Sequence, residues 1–439
     1  MINYELALDI IDIIVAAIVI IMIAFSWYYV AGFFISFKRT KEVPHSDKFT
    51  KFAILVPARN EGPVVGNIMN ALKNQTYPKE YFDVWFITEK DEDPTNALAL
   101  QYGYHYFVRD ELTPQRKTKG FALQECIRHF KDSHLNYDAY MIFDADNVMD
   151  EDYLEKMNDV RQSGVEVAVG FRNFTNINRN WLTSGSAILF TYINSFTSKV
   201  RSMIFKKCVI AGTGYYINAD IVDEAGGWIF TGMTEDIEVT TYCEYHNINM
   251  KYYPLINFYD EQSPSYKTNH YQHIRWIWGF LENRKRFKKG GKMHNSNNKV
   301  MYESSKFEFN VGIIPFVTAC SLNILCIIAS IILYAFSIGQ AQEYSYLLLW
   351  HFGYQLGLMY LLFALVAVAT IAHNYNRLKM TWWMIIITVL TYFIYFADLV
   401  IAFLHGLFVP RTRKTWTPIK HSGTIKDKRA QKASEANEQ

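Results

Sequence analysis

The sequence predicts a mixed α/β domain on a doubly wound parallel sheet, inserted between transmembrane helices. Three observations carry that expectation. Apolar residues gather in one N-terminal and three C-terminal runs, each long enough for a bilayer that needs about 20 of them. Between these runs, short apolar strands alternate with helical patterns, which is how a parallel doubly wound sheet reads. One strand, Tyr140-Met141-Ile142, runs into Phe143-Asp144-Ala145-Asp146-Asn147, and open α/β sheets bind ligands beyond the carboxyl ends of their strands.

Composition narrows the classes. The chain has 439 residues, room for more than one domain, and is 50% hydrophobic and 16% aromatic. Its net charge of +2 argues against a nucleic-acid binder driven by phosphate neutralisation. Cys126, Cys208, Cys243, Cys320 and Cys326 show no CxxC and no paired spacing, so neither a disulfide framework nor a zinc site is expected.

The first run, about Leu6 to Phe37, has no basic leader and no small-residue cleavage site, and reads as a retained anchor. Lys38, Arg39 and Lys41 follow it, which places the next domain in the cytoplasm. The expected organisation is an anchor over 1–45, a cytoplasmic domain over 46–295, membrane helices over 296–410 and a basic polar tail over 411–439.

Phe52 to Pro57 is the first expected strand, closed by proline and followed by Ala58-Arg59-Asn60-Glu61 and a helix to Leu72. Phe82 to Thr88 is the second, with Glu89, Asp91, Glu92 and Asp93 crowding its end. Tyr104 to Val108 is the third. Lys117-Thr118-Lys119-Gly120 leads into a helix near Ala122 to His129, and the fourth strand delivers Asp144 and Asp146. Two carboxylates in that position suit Mg²⁺ or Mn²⁺ sharing its coordination with phosphate oxygens; a helix cap or a solvated turn is the plainer alternative.

Val165 to Phe171 reads as a strand. Trp181 to Phe205 reads as a core helix or, better, a helix on the membrane surface, with Arg201, Lys206 and Lys207 at its edge. The glycines of Ala211-Gly212-Thr213-Gly214 allow a tight backbone beside a ligand, or an ordinary turn. Thr234-Glu235-Asp236 opens a helix; the acids serve either its dipole or, through Asp236, as a general base. Gln272-His273-Ile274-Arg275-Trp276 lies in an aromatic helix before a basic run. There Arg275 can hold a diphosphate and Trp276 can stack on a sugar. An interfacial helix with an aromatic belt fits the same residues.

Three apolar runs follow, near 309–338, 344–372 and 380–408, with Asp398 inside the last. An ionisable group at that depth marks a functional site or a packed polar pair. Three spans place the tail outside, whereas Arg411, Arg413, Lys414 and Lys420 favour the inside.

Together these motifs resemble the processive family-2 glycosyltransferases of membranes: cellulose, mixed-linkage glucan, chitin, hyaluronan and poly-N-acetylglucosamine synthases. Asp144-Ala145-Asp146 resembles their DxD, Thr234-Glu235-Asp236 their TED, and Gln272, Arg275 and Trp276 their QxxRW, in the family's order. The resemblance implies a GT-A fold, Mg²⁺ or Mn²⁺ on Asp144 and Asp146, and Asp236 as base. It implies donor contacts from Pro57, Ala58, Asn60, Glu61, Lys119 and Arg275, with Glu89 or Asp91 replacing the family's uracil-holding Asp-Asp. It assigns Gly212, Thr213, Gly214, Glu235, Gln272 and Trp276 to the acceptor. The partners implied are a UDP-sugar donor, a growing polysaccharide and the lipid bilayer, with room for accessory export subunits. The implied location is a multi-pass plasma-membrane protein with a cytoplasmic catalytic domain. UDP-glucose polymerised to a β-glucan is the expected activity. An N-acetylglucosamine polymer, hyaluronan and a single sugar passed to a lipid carrier are the alternatives. Control by a cyclic dinucleotide is not expected, while Trp416-Thr417-Pro418 can fold back as a gate.

Overall fold

The computed structural model describes residues 32–59, 61–110, 112–113, 116–290 and 342–408, with parts of 6–20 and 328–335. Asn60, most of the 309–338 run and the 411–439 tail lie outside the described residues.

An eight-stranded sheet organises the middle of the chain, in the order β3-β2-β1-β4-β7-β6-β8-β5. Strands β1 (Phe52–Pro57), β2 (Phe82–Thr88), β3 (His105–Val108) and β4 (Ala139–Ile142) arise where predicted and pair in parallel. Helices α1 (Gly62–Lys73), α2 (Pro94–Gln101) and α3 (Lys119–Asp132) connect them. Asp93 caps α2 by accepting from the Thr95 amide at 2.9 Å.

Beyond β4 the sheet departs from the all-parallel expectation. β7 (Tyr215–Asn218) runs antiparallel to β4 and to β6 (Val167–Phe174). β8 (Met250–Asp260) pairs in parallel with β6, and β5 (Val148–Met149) closes the edge antiparallel to β8. A glycine turn leads into β7. Gly212 and Gly214 have φ of +87° and +67°, conformations that β-carbon-bearing residues resist.

Helix α4 (Tyr153–Gln162) covers the sheet, and α5 (Trp181–Tyr192) follows β6. Asn180 and Thr183 form a capping box at its start. A π-turn (Ile193–Ser198) joins α5 to α6 (Lys199–Phe205). The expectation of a membrane-surface helix over 181–205 is corrected for α5, whose Leu182, Ala187 and Ile188 are buried in a second core with Phe363, Ala367 and Tyr395. Arg201 is buried too, paired with Glu244. Only the end of α6 exposes apolar side chains, Met203 and Ile204.

After α7 (Ala219–Glu224) and α8 (Glu235–Tyr245) come β8 and the long α9 (Tyr266–Gly290). The carboxy-terminal helices are α10 (Gln342–His373), α11 (Tyr375–Leu378) and α12 (Trp382–Phe408). Among the described residues, one helix, Trp382–Gly406, is long and apolar enough to cross a membrane. It shows Trp383, Ile387, Leu390, Ile394 and Ile401 outward and Tyr392, Tyr395 and Asp398 inward.

Candidate active site

The carboxyl ends of β2, β1 and β4 lie side by side, and the predicted donor residues line them. The Ala58 amide donates to the Ile87 carbonyl at 2.8 Å, fixing the turn after Pro57. Arg59 pairs with Glu89 at 3.0 Å, and Arg109 approaches Glu89 at 3.9 Å. Glu61 ends the turn just ahead of α1. Of the two acids considered for the base, Glu89 faces these arginines, whereas Asp91 is exposed on the following turn.

The Asp144–Asp146 turn is sewn to the glycine loop. The Asp144 amide donates to Thr213 Oγ1 at 2.9 Å and to Asn147 Oδ1 at 3.1 Å, and the Thr213 hydroxyl donates to Asn147 Oδ1. The Gly214 amide extends the ladder to the Ile142 carbonyl at 2.9 Å. A Cβ on Gly214 would lie 2.3 Å from the Phe258 ring, so space as well as φ demands glycine. Thr213 is buried and spends its hydroxyl on this turn.

A third carboxylate, which sequence reasoning missed, joins the pair. Ligand oxygens of Asp144, Asp146 and Asp260 all lie within 4.8 Å of one another. Asp260 ends β8, an 11-residue strand with the alternating pattern that could have revealed it. Asn147 Nδ2 donates to Asp260 at 3.0 Å. Arg172 of β6, also missed, donates from Nε to Asp260 at 3.0 Å and from Nη1 to the Ala211 carbonyl at 2.8 Å. An all-oxygen carboxylate set matches the preference of Mg²⁺ or Mn²⁺.

Lys119 opens α3 and reaches into the same space. Its Nζ lies 2.5 Å from Asp144 Oδ1 and 3.8 Å from Glu235, and donates to the Gly212 carbonyl at 2.6 Å. Burial alone would lower its pKa, yet Asp144, Glu235 and Asp236 hold it above the ordinary lysine value. Gly120 lets α3 come this close, since a Cβ there would lie 2.2 Å from the Phe230 carbonyl.

Thr234, Glu235 and Asp236 begin α8, and both acids lie in its first turn, where the helix dipole favours them. Thr234 makes no side-chain cap, and its side chain fits the space left by Gly279 of α9. Glu238 performs the tie instead, accepting from the Gly232 amide at 3.0 Å. Asp236 Oδ2 would sit 3.6 Å from a Cβ on Gly212, so its carboxylate abuts the glycine loop. Burial raises the Asp236 pKa, opposed by the Ile237 amide and by Lys119, Arg172 and Arg275. Burial pushes Glu235 up to about 8 against the pull of Lys119, with Asp236 adding to the rise. Both carboxyls of the adjacent pair are thus held above the ordinary carboxylate range.

Helix α9 supplies Gln272, Arg275 and Trp276. Burial lowers the Arg275 pKa while Glu235, Asp236 and Asp144 oppose the shift, so the guanidinium faces those acids. Trp276 packs edge-on to Phe190 with centroids 5.5 Å apart and remains partly exposed, as does Gln272. The helix is fixed from behind by Asp398 of α12. Asp398 meets Tyr266 at 2.8 Å and the Nδ1 atoms of His270 and His273 at 2.7 Å each. Of the two readings of Asp398, the packed polar pair is the one these contacts fit.

Comparison with known proteins gives the family and the fold. The family model "Glycosyltransferase like family 2" matches residues 50–279. The chain is 26% identical over 248 residues to the probable glycosyltransferase YdaM of Bacillus subtilis, covering 54% of this chain and 56% of that protein. It is 24% identical over 248 residues to a β-monoglucosyldiacylglycerol synthase of Nostoc sp., covering 54% and 50%. The chain thus spans about half the length of the curated relatives it matches. In fold it is similar to a mannosyltransferase from Pyrobaculum calidifontis solved with GDP-Man and Mn²⁺, with a TM-score of 0.56 at 13% identity, covering 90% of this chain and 99% of that one. On the extent of the family match and on the fold, this chain is a family-2 glycosyltransferase with a mixed α/β, GT-A-like fold.

Proposed function

We propose that the chain transfers a sugar from a nucleotide diphosphate donor, with inversion, to a hydroxyl acceptor at the membrane face. The observation that carries this is the convergence of Asp236 with Lys119, Arg172, Arg275 and the Asp144–Asp146–Asp260 cluster. Glu89 and Arg59 take the base-and-ribose side of the donor, and Pro57, Ala58 and Glu61 shape the turn against it. Asp144 and Asp146, with Asp260, hold Mg²⁺ or Mn²⁺, which when bound neutralises charge on the diphosphate. Lys119 and Arg275 add fixed positive charge for the leaving group. Asp236 accepts the acceptor proton as the hydroxyl attacks the face opposite the diphosphate. Protonated Glu235 beside it keeps a second negative charge off the incoming oxygen. Gly212 leaves that approach open.

We read the donor as UDP-glucose and the product as β-linked. The acceptor in the first reading is the end of a growing β-glucan, with the partly exposed Trp276 and Gln272 as its floor. Helices α9, α10 and α12 carry that floor to the membrane, where the protein sits with its catalytic domain in the cytoplasm. A second reading, a lipid acceptor receiving one glucose, is favoured by the relatives whose name is β-monoglucosyldiacylglycerol synthase. Radiolabelled UDP-glucose given to purified protein in lipid separates them. Label in a high-molecular-weight, glucanase-sensitive product supports the first reading, and label extracted as a small glycolipid supports the second. Asp236→Asn abolishes either product while donor binding persists. Near wild-type transfer by that variant overturns the assignment of the base.

A further inference from the structure

A second polar cavity, separate from the carboxylate site, lies where the sheet meets the helices. It measures about 270 Å³ and is bounded by the linker at Arg39–Glu42, by Lys199, by Tyr252, and by His373 and Arg377. β6 connects it to the active site, because Phe171 lines the cavity while the next residue, Arg172, reaches Asp260.

The charges in this cavity are unbalanced. Arg39, Lys199 and Arg377 are basic, and Glu42 is the one carboxylate among the described residues that line it. None of the three cations makes an ion pair with a carboxylate among the described residues. Lys199 donates to the Ser36 carbonyl at 2.6 Å. Arg377 lies over the Phe171 ring at 4.7 Å. Burial, with Arg377 beside it, lowers the Lys199 pKa, as taking an ammonium out of water does. A second, independent observation points the same way. Tyr252 is 3% exposed, and its hydroxyl has no hydrogen-bond partner among the described residues. A buried, unmatched donor is rare in a native structure and asks for a ligand or water.

We propose that this cavity is a phosphate-ester site, formed by Arg39, Lys199, Arg377 and the Tyr252 hydroxyl. Planar guanidinium groups with an ammonium and a hydroxyl are the donor set that phosphate oxygens accept from. Two sources share that chemistry, the headgroup of an anionic lipid and free phosphate. The surroundings fit the lipid. Phe37 is 60% exposed and packs edge-on to His373, which lines the cavity, with centroids 4.6 Å apart. Met203 and Ile204 continue the apolar rim on the helix that carries Lys199. The linker itself follows the N-terminal apolar run in sequence.

The test uses the full chain purified in an uncharged maltoside detergent. Melting is followed with phosphatidylglycerol added, with the same mole fraction of oleate, and with inorganic phosphate against chloride at matched ionic strength. Phosphatidylglycerol should raise Tm by about 3 °C or more above the oleate sample. The K199Q/R377Q variant should lose that difference. Arg39→Gln serves should the double variant not fold, and Tyr252→Phe should reduce the shift. An equal rise with inorganic phosphate assigns the site to free phosphate; a rise with the lipid alone assigns it to a headgroup. No rise with either, an equal rise with oleate, or a rise retained by K199Q/R377Q and Arg39→Gln overturns the proposal.

Discussion

Replacing Asp398 with alanine tests how α12 positions α9, the helix that carries Arg275 and Trp276. Asp398 is 2% exposed and is the shared partner of Tyr266, His270 and His273 on α9. The relay continues from His270 Nε2 to His405 at 2.9 Å and from His273 Nε2 to Tyr395 at 3.1 Å. Hydrogen bonds to a charged group each contribute about 1.5–3 kcal/mol, but three on one acceptor do not add. Removing one side of a buried charged network costs about 3–5 kcal/mol, because its partners stay buried and unmatched. For a domain of this size that is a fall in Tm of about 6–20 °C. Asp398→Asn keeps the shape and one acceptor oxygen, and should lose roughly half as much. Transfer should fall as well, measured below the variant's Tm, since Arg275 and Trp276 lie two and three residues beyond His273 on the same helix. Differential scanning fluorimetry with a nucleotide-release assay reads both. An Asp398→Ala protein melting within about 1 °C of wild type would refute the reasoning, for then the network positions nothing.

Other outcomes follow from the same geometry. Asp260→Asn should weaken Mn²⁺ binding at least about tenfold in a titration followed by the ion's paramagnetic signal, and chelation of the metal should stop transfer by the wild type. Gly214→Ala meets both a positive φ and the Phe258 ring, and should cost about 3–5 kcal/mol in denaturant melts. Gly226→Ala, at φ +82° with open space around it, should cost only about 1 kcal/mol. Glu235 binds its proton up to a pH of about 8 in the folded chain, well above its value when unfolded. Native stability therefore drops as pH rises from the ordinary carboxylate range through 8. Glu235→Gln removes that loss, so its Tm advantage over wild type should grow across that interval; a constant difference would contradict the protonated Glu235.

The first four strands were legible because each is a short apolar run closed by proline or acids. The residues at their ends followed from topology alone. Asp144, Asp146, Lys119, Asp236 and Arg275 come together as expected because motifs of this kind tie chemistry to the ends of regular elements. Local signals misled where tertiary contacts replaced them. Thr234 stands before α8 without capping it, since its side chain packs in the space at Gly279 and Glu238 makes the tie. The stretch over 181–205 looked amphipathic toward lipid, yet Gly185 lets Tyr395 cover it. A Cβ at Gly185 would lie 2.7 Å from that ring.

The sequence by itself determined the class of chemistry. Carboxylates after strands, an acid at a helix start and an arginine beside a tryptophan are readable as types in order. Tertiary structure alone decided which groups share one space. Asp260 lies far along the chain from Asp144, and Arg172 lies on a different strand from both, so no local pattern links them. The antiparallel entry of β7 and its pairing with β6 bring β8 near β4, and with it the third carboxylate. Periodicity reports how one segment faces its core, whereas a site is made where several segments meet.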